Sequence, residues 1–429
     1  MVVTDMARPR ILITGSGAVC GSGNSPAAIF DALCEGRSAV APIEQWDTTD
    51  WPVKVAAEIA DFNPRAMVED RKLHKFIRRT DMLGLFAGSQ AVDTAGFVGH
   101  RTTLAPDAAA TYSDRSGVYV GSGGGAYNSQ YEFFPLMTEA DGDLVRFGEE
   151  LSNVVNPMWL LRTLPNNVLC HLGIKYRLKG SNACITNHSC GGTLAVIEAA
   201  EALRTGEADR AVAVGHDTLI EPQMVLYYHA CGLLAADTIR PFDAARDGSL
   251  FGEGAGALAL ETEQSAVKRN ATVIGEVLAG GHAGEATGLL SIRDDGDGLA
   301  RAIGEALHDA RLGASDIGMI VAHGNGTRQS DASEATALRR VFGSAVPPIA
   351  AFKWSIGHLI AAAGIVETVV ALHALKKRLV PGVATLRSLD PECADLPVST
   401  KAQVPRGNVA LVLCRGFAGT DTALIVRGA

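Results

Sequence analysis

The chain has 429 residues, of which 47% are hydrophobic, so it can bury a large core and is long enough for two or three domain-sized units. Its formal net charge of −9 argues against a nucleic-acid-binding surface. No apolar run is long enough to span a bilayer, and no long apolar region precedes Ile11, so we expect neither a membrane anchor nor a signal peptide. The eight cysteines lack paired metal-ligand spacing, which predicts reduced thiols, no metal site and a cytoplasmic location.

The N-terminal part alternates predicted strands and helices. A buried strand at 10–14 leads into the glycine-rich segment GSGAVCG, residues 15–21. Its GxGxxxG spacing differs from a dinucleotide-binding fingerprint, and no acidic residue follows at the required distance, so we predict a tight strand exit. A second glycine run, 121–125, lacks a following Lys-Ser or Lys-Thr pair and indicates a close backbone approach rather than a phosphate site. Between these two segments we predict a helix at 26–34, a strand at 53–59, a helix at 76–95 and a strand at 116–120.

The stretch 179–217 has the pattern strand, sharp turn, helix, strand. Asn182–Thr186 is apolar enough for a buried strand, and Gly191 and Gly192 allow a tight turn after it. Apolar residues then recur at helical spacing over 194–203. A polar residue at such a helix start is favourably placed for a nucleophile or an oxyanion. The alternative is an ordinary connection in which a serine caps the helix.

Strand ends in the second half of the chain carry further polar groups. His323 follows a predicted strand at 317–322, whereas Lys353 and His358 follow one at 350–353. Because strands and helices alternate throughout, the sequence predicts an α/β fold with helices around buried sheets. Two histidines that each follow a strand among glycines favour a catalytic pair, although lone histidines are often structural.

Four long segments resemble the elongating β-ketoacyl-acyl-carrier-protein synthases, or ketosynthases. They are RPFDAARDGSLFGEGAGALALE (240–261), HGNGTRQSDASEATAL (323–338), KWSIGHLIAAAGIVE (353–367) and RGFAGTD (415–421). The resemblance implies a thiolase-like α/β fold of two similar halves with a layered α-β-α-β-α architecture. The N-terminal half, 1–261, would carry the nucleophile turn, and the C-terminal half, 262–429, the histidine, lysine and gate loops.

The resemblance also implies a chemistry. In this family a cysteine takes an acyl group from the phosphopantetheine thioester of an acyl carrier protein, and two histidines assist malonyl decarboxylation. The resemblance assigns catalytic roles to His323, His358, Lys353 and Glu367, an oxyanion and gate role to Phe417 together with the nucleophile's N–H, and a substrate contact to Thr327. No bound cofactor is implied, since phosphopantetheine arrives on the carrier protein.

The nucleophile is where this sequence departs from the family motif T-A-C-S-S. The spacings from Gly180 to Ser189 and from Ser189 to Gly206 equal those between the family's cysteine and its corresponding glycines, which puts Ser189 at the cysteine position. Aligning Cys190 with that cysteine instead needs an insertion before it and a deletion inside the helix. A one-residue deletion would rotate the apolar face of the helix by about 100°. We therefore predict Ser189 as the nucleophile, with Cys190 as the alternative. A serine needs a base, which we expect from His323 or His358, and its oxygen ester is a weaker acyl donor than a thioester.

Two further departures concern the gate loop. Arg415 stands where the family has an aromatic residue, and it either binds a substrate carboxylate or turns to an internal acid. Ala418 replaces a gate glycine and should restrict the backbone. We predict an acyltransferase of fatty-acid or polyketide biosynthesis, homodimeric or paired with another ketosynthase. The alternatives are a non-condensing chain-length-factor-type subunit and an ordinary condensing enzyme that uses Cys190.

Overall fold

The computed structural model describes residues 8–123 and 133–429, so Gly124 and Gly125 of the predicted glycine run lie outside the described residues. The strands are β1 (Ile11–Cys20), β2 (Val40–Pro42), β3 (Val55–Ala57), β4 (Ser116–Ser122), β5 (Asn182–Ile185), β6 (Arg210–Thr218), β7 (Glu253–Thr262), β8 (Gly275–Gly284), β9 (Met319–Val321), β10 (Ile349–Ala350), β11 (Val409–Gly416) and β12 (Thr420–Gly428).

Helices connect these strands. The helices of the first half are α1 (Pro26–Cys34), α2 (Pro64–Met67), α3 (Arg79–Ala95), α4 (Phe97–Thr102), α5 (Pro106–Asp114), α6 (Phe134–Ala140), α7 (Leu144–Val154), α8 (Trp159–Thr163), α9 (Asn167–Tyr176), α10 (Gly191–Arg204) and α11 (Pro222–Ala230). Those of the second half are α12 (Glu263–Lys268), α13 (Asp297–Ala310), α14 (Arg328–Phe342), α15 (Lys353–Ile356) and α16 (Ala363–Lys377). Single 3₁₀ turns include His188–Cys190, Ile360–Ala362 and Phe417–Gly419.

Ten strands form one sheet in the order β10-β9-β11-β12-β8-β1-β7-β6-β4-β5. Counted outward from the centre, β1-β7-β6-β4-β5 and β8-β12-β11-β9-β10 follow the same order: first, fifth, fourth, second and third strand of each half. The pairing senses match as well, because two antiparallel pairs are followed by two parallel pairs in each half. The halves meet where Ile11–Ile13 of β1 pairs with Gly275–Val277 of β8. The predicted architecture of two similar halves is therefore confirmed.

Helices form layers on and between the two halves of the sheet. Helix α3 packs on β1, β6 and β7, and α13 packs on β8 and β12. Between them lie α10 and α16, which contact each other and strands of both halves. Twelve of the fifteen residues of α16 are buried, which is why its sequence is apolar on nearly every side. Both central helices begin beside the same cavity, described below.

The predicted strand at 10–14 is longer in the structure. It continues through the glycine-rich segment to Cys20, so the predicted exit after Thr14 is wrong. The glycines serve packing: a Cβ on Gly15 or Gly17 would lie 2.3 or 2.2 Å from a backbone oxygen of α3. They allow close contact between β1 and α3, and a nucleotide is not needed to explain them. In the described part of the chain, no helix has the length and apolar character needed to cross a membrane.

Candidate active site

The turn between β5 and α10 brings Ser189 to the base of an apolar cavity. His188–Cys190 form one 3₁₀ turn before α10 starts at Gly191. A Cβ on Gly192 would lie 2.4 Å from the carbonyl oxygen of Ala361, so this glycine lets the two central helices approach closely. Ser189 is 1% exposed and borders the cavity together with His323 and His358.

Ser189 contacts two imidazoles. Its Oγ lies 2.9 Å from Nδ1 of His188 and 3.5 Å from Nε2 of His358. The backbone of Gly416 also lies against this turn, since a Cβ built there would be 3.5 Å from the Ser189 nitrogen. Ser189 therefore sits where a side chain at the start of a central helix faces both a histidine and the gate loop.

Cys190 faces the protein interior. Its Sγ lies 3.4 Å from the Thr420 carbonyl oxygen and 3.6 Å from that of Cys414. Burial raises the pKa of the Cys190 thiol well above its ordinary value. A thiol that is enclosed and protonated is poorly suited to nucleophilic attack, which argues against the alternative nucleophile.

His323 and His358 lie side by side, with ring centroids 5.3 Å apart and planes at 74°. The Nδ1 of His323 accepts the N–H of Arg415 at 3.2 Å, and the Nδ1 of His358 accepts that of Ile360 at 3.1 Å. Burial and the nearby Lys353 lower the pKa of both imidazoles well below their usual range, so both rings are neutral. With Nδ1 accepting, the single proton of each ring is on Nε2. The cavity thus contains two imidazole N–H donors.

Lys353 and Glu367 form a buried ion pair behind the histidines. Lys353 Nζ lies 2.6 Å from Glu367 Oε1 and donates at 2.6 Å to the carbonyl oxygen of His323. Burial raises the pKa of Glu367 to about 7 against the lowering effect of Lys353. Neither residue is among those that border the cavity, and their catalytic assignment stays a prediction. Their contacts hold the His323 backbone in place.

Glu334 is a further support that our sequence analysis did not single out. Its two carboxylate oxygens accept the backbone N–H groups of His323 at 2.7 Å and Gly324 at 2.9 Å. The neighbouring Asp331 accepts the N–H groups of Phe242 and Gly326 at 2.8 and 3.2 Å. The sequence feature that could have indicated this role is the presence of two acids three residues apart in the segment 323–338. They tie the start of α14 to the loop that carries His323.

The gate loop is held by aromatic stacking. The ring of Phe417 stacks on His188 at 4.3 Å with 14° between the planes, and on Tyr228 at 5.2 Å. Tyr228 Oη also lies 2.5 Å from Nε2 of His188. His188 and Tyr228 are cavity residues that the sequence analysis did not identify. The next residue, Ala418, has φ +60°, so the alanine occupies the left-handed region that a glycine would adopt without strain.

The Arg415 guanidinium is directed to internal acids. Its Nε lies 2.7 Å from Asp421 Oδ1, and Nη2 lies 3.6 Å from Glu285 Oε1. The expectation of a free cation for a substrate carboxylate is therefore corrected in favour of the alternative, even though Arg415 borders the cavity. Thr327 also borders it, with its hydroxyl donating to Asn325 at 2.9 Å.

The centre of a water-sized sphere can reach about 70 Å³ of the cavity, and all the empty space, including the part open to solvent, is about 660 Å³. Apart from the groups above, its walls are mainly apolar and include Leu233, Leu234, Phe251, Leu289, Leu290 and Ile360. Such a cavity suits an acyl chain. Within residues 8–123 and 133–429, no group of three or more His, Cys, Asp or Glu side chains is arranged to hold a metal ion.

Comparison with known proteins identifies the family. The model "Beta-ketoacyl synthase, N-terminal domain" matches residues 8–266, and "Beta-ketoacyl synthase, C-terminal domain" matches 275–387. The 3-oxoacyl-[acyl-carrier-protein] synthase 2 of Coxiella burnetii is 29% identical over 98% of this chain and 99% of its own length. The actinorhodin polyketide putative beta-ketoacyl synthase 1 of Streptomyces coelicolor is 30% identical over 98% of this chain and 89% of its own. Among solved structures, the ishigamide ketosynthase/chain length factor superposes with a TM-score of 0.87 at 28% identity, covering 99% of this chain and 100% of its own. The chain belongs to the beta-ketoacyl synthase family.

Proposed function

We propose that this protein is a ketosynthase-like acyltransferase that takes an acyl group from a carrier-protein thioester onto Ser189. The observation that carries the proposal is the position of Ser189 Oγ, at the start of a central helix and in an apolar cavity with His323 and His358. The enclosed, protonated thiol of Cys190 supports the choice of Ser189. The acyl chain would occupy the apolar cavity, and the N–H groups of Ser189 and Phe417 would surround the developing oxyanion.

The histidine pair supports a second step on a carrier-bound malonyl group. Two neutral imidazoles with protons on Nε2 can both donate to the thioester carbonyl oxygen. Loss of carbon dioxide from the malonyl group turns that carbonyl into an enolate, whose negative oxygen the two donors stabilise. The buried Lys353–Glu367 pair and Glu334 would keep His323 aimed at that oxygen.

The test is intact-mass analysis after incubation with a panel of acyl-carrier thioesters, followed by peptide mapping. We expect a mass increase equal to the acyl group, located on Ser189. A protein that takes up no acyl group from any carrier, yet binds a neighbouring ketosynthase, would instead be a non-condensing partner subunit. The retention of His323, His358, Lys353 and Glu367 together argues against that alternative.

We also propose that the protein forms a homodimer through the β5 side. Among the described residues β5 is an edge strand, and three of its four residues are only half-buried. Helices before it expose large apolar side chains, including Leu144 at 81% and Ile174 at 74%. An open strand edge beside exposed apolar groups favours pairing with a second chain. Light scattering at micromolar concentration should give the mass of a dimer, and a monomer would contradict the proposal.

A further inference from the structure

His188 borders the cavity, yet the proposed function gives it no role. Its imidazole has a defined neighbour at each nitrogen: Ser189 Oγ lies 2.9 Å from Nδ1, and Tyr228 Oη lies 2.5 Å from Nε2. One ring face stacks on Phe417. The side chain is therefore fixed in orientation, with Nδ1 directed at the proposed nucleophile.

The backbone at His188 is strained. Its φ is +40°, in the left-handed region that non-glycine residues seldom adopt. A strained residue next to a proposed nucleophile is the kind of outlier that functional sites retain. In this conformation the imidazole Nδ1 lies within hydrogen-bond distance of Ser189 Oγ.

The hydrogen bonds of the two neighbouring imidazoles determine which of them can accept the Ser189 proton. His358 Nδ1 accepts the N–H of Ile360, so the proton of that neutral ring is on Nε2, which faces Ser189 as a donor. His358 cannot also accept the serine proton. The remaining imidazole nitrogen beside the hydroxyl is His188 Nδ1, which accepts the proton when its own N–H is on Nε2 and donates to Tyr228.

Two of the departures from the family motif, at 188 and 189, are adjacent. With Ser189 at the cysteine of T-A-C-S-S, His188 falls at the alanine. A cysteine at a helix start can ionise by itself, whereas a serine hydroxyl needs a base. A histidine beside the serine can supply the base that a serine nucleophile needs and a cysteine does not.

We propose that His188 is the general base that activates Ser189, with Tyr228 as the positioning residue that fixes its tautomer; this rests on the proposed acyl capture by Ser189. As the bond from Oγ to the thioester carbon forms, the hydroxyl proton moves to His188 Nδ1 and the carbonyl oxygen becomes an oxyanion. When the C–S bond breaks, the same proton passes to the departing phosphopantetheine sulfur. The products are an oxygen ester on Ser189, a free carrier thiol and a neutral His188.

The experiment is a double-mutant cycle on the acylation rate of the full chain, followed by rapid-quench intact mass with an acyl-carrier thioester. His188→Phe keeps a ring to stack on Phe417 but removes the base, and we expect its rate to fall by about 10²–10⁴-fold. In a Ser189→Cys background the thiol ionises without help, so adding His188→Phe should change the rate less than about tenfold. Tyr228→Phe should behave likewise, with a smaller loss in the serine background only. His171→Phe on α9, which does not border the cavity, is the matched control and should keep the wild-type rate.

Acylation by p-nitrophenyl acetate separates failure of this inference from failure of the proposed function. If carrier thioesters never acylate the protein but the aryl ester acylates Ser189 in a His188-dependent manner, the carrier activity fails and the base assignment stands. A wild-type rate in His188→Phe would overturn the assignment. So would an equal loss in the serine and cysteine backgrounds, because that is the signature of a structural role.

Discussion

The two halves of the molecule share one strand order but differ in the connection that follows the third strand. In the N-terminal half, five residues link β5 to α10, and in the C-terminal half twelve link β10 to α16. The short connection is a strained turn that presents Ser189. The longer one holds a buried lysine and a histidine whose backbone pairs with Leu250 and Gly252. The same topology thus supports two kinds of site. The side chains of each connection determine its chemistry, and the sheet and helix layers position that connection.

The two connections also differ in the contacts that hold their side chains. The segment 353–367 of the longer connection contains groups that are interlocked by an ion pair and backbone hydrogen bonds, so exchanging one of them disturbs several others. In the short turn no ion pair is present among the described residues, and its side chains are held by the contacts of His188 with Ser189, Tyr228 and Phe417. We therefore expect substitutions in the short turn to change acyl transfer. Substitutions of the buried Lys353–Glu367 pair should instead lower the stability of the fold.

The largest effect is expected at the short turn. Ser189→Ala should abolish acylation by carrier thioesters, because it removes the attacking oxygen. Cys190→Ala should leave labelling largely intact, because the thiol is enclosed by the carbonyl groups of Cys414 and Thr420. The acyl group on the wild-type protein should resist neutral hydroxylamine, as an oxygen ester does. An acyl group on Cys190 that neutral hydroxylamine releases readily would contradict the assignment.

Behind the long connection, Glu367→Leu should destabilise the fold. The substitution leaves the buried Lys353 ammonium without its carboxylate, and breaking such a pair costs about 3–5 kcal/mol. Urea denaturation measures the loss. The double variant Lys353→Met/Glu367→Leu is the control and should regain much of the stability, since no buried charge is left unpaired. If Glu367→Leu alone costs less than about 1 kcal/mol, the pair does not stabilise the long connection as we infer.

Replacing either histidine of the pair tests whether it is catalytic or only fills the core. His323→Asn and His358→Asn should keep the fold but lower malonyl decarboxylation or acyl transfer by a factor of about 10² or more. Circular dichroism and thermal unfolding check the fold, and release of carbon dioxide measures the activity. Wild-type turnover in both folded variants would show that the imidazoles are structural.

Much of this site could be predicted from the sequence, because long segments with several fixed residues lie at strand ends. His323, His358, Phe417 and Thr327 all border one cavity. Sequence could not show the direction of a side chain. Arg415 turns to Asp421, which lies opposite it on β12, and to Glu285 from a distant part of the chain.

The His188–Tyr228 contact was missed for a related reason. The two residues are 40 positions apart, and only the stacking around Phe417 brings them together. Similarly, β1 continues through glycines that would normally weaken a strand, because α3 needs their lack of a side chain. In both cases the contacts between distant parts of the chain determine a feature that the local sequence pattern does not.

The smallest predicted effect concerns the pH dependence of stability at the short turn. Burial lowers the pKa of His188 from 6.5 to about 4. The groups it faces are Ser189, Tyr228 and Phe417, and the neutral imidazoles of His323 and His358 are nearby. Because the folded pKa is depressed, the unfolded chain binds a proton first as the pH falls. The contribution of neutral His188 is therefore complete above about pH 7 and is lost as the pH falls towards about 4.

Between about pH 7 and about pH 5, this linkage should cost the wild-type protein about 2 kcal/mol of unfolding free energy relative to His188→Phe, which cannot take up the proton. Urea denaturation of both proteins at each pH measures the difference. Parallel pH profiles for wild type and His188→Phe would mean that His188 titrates alike in the folded and unfolded chain. The imidazole would then be solvated in the folded protein, and it would not be held between Ser189 and Tyr228 as a neutral base.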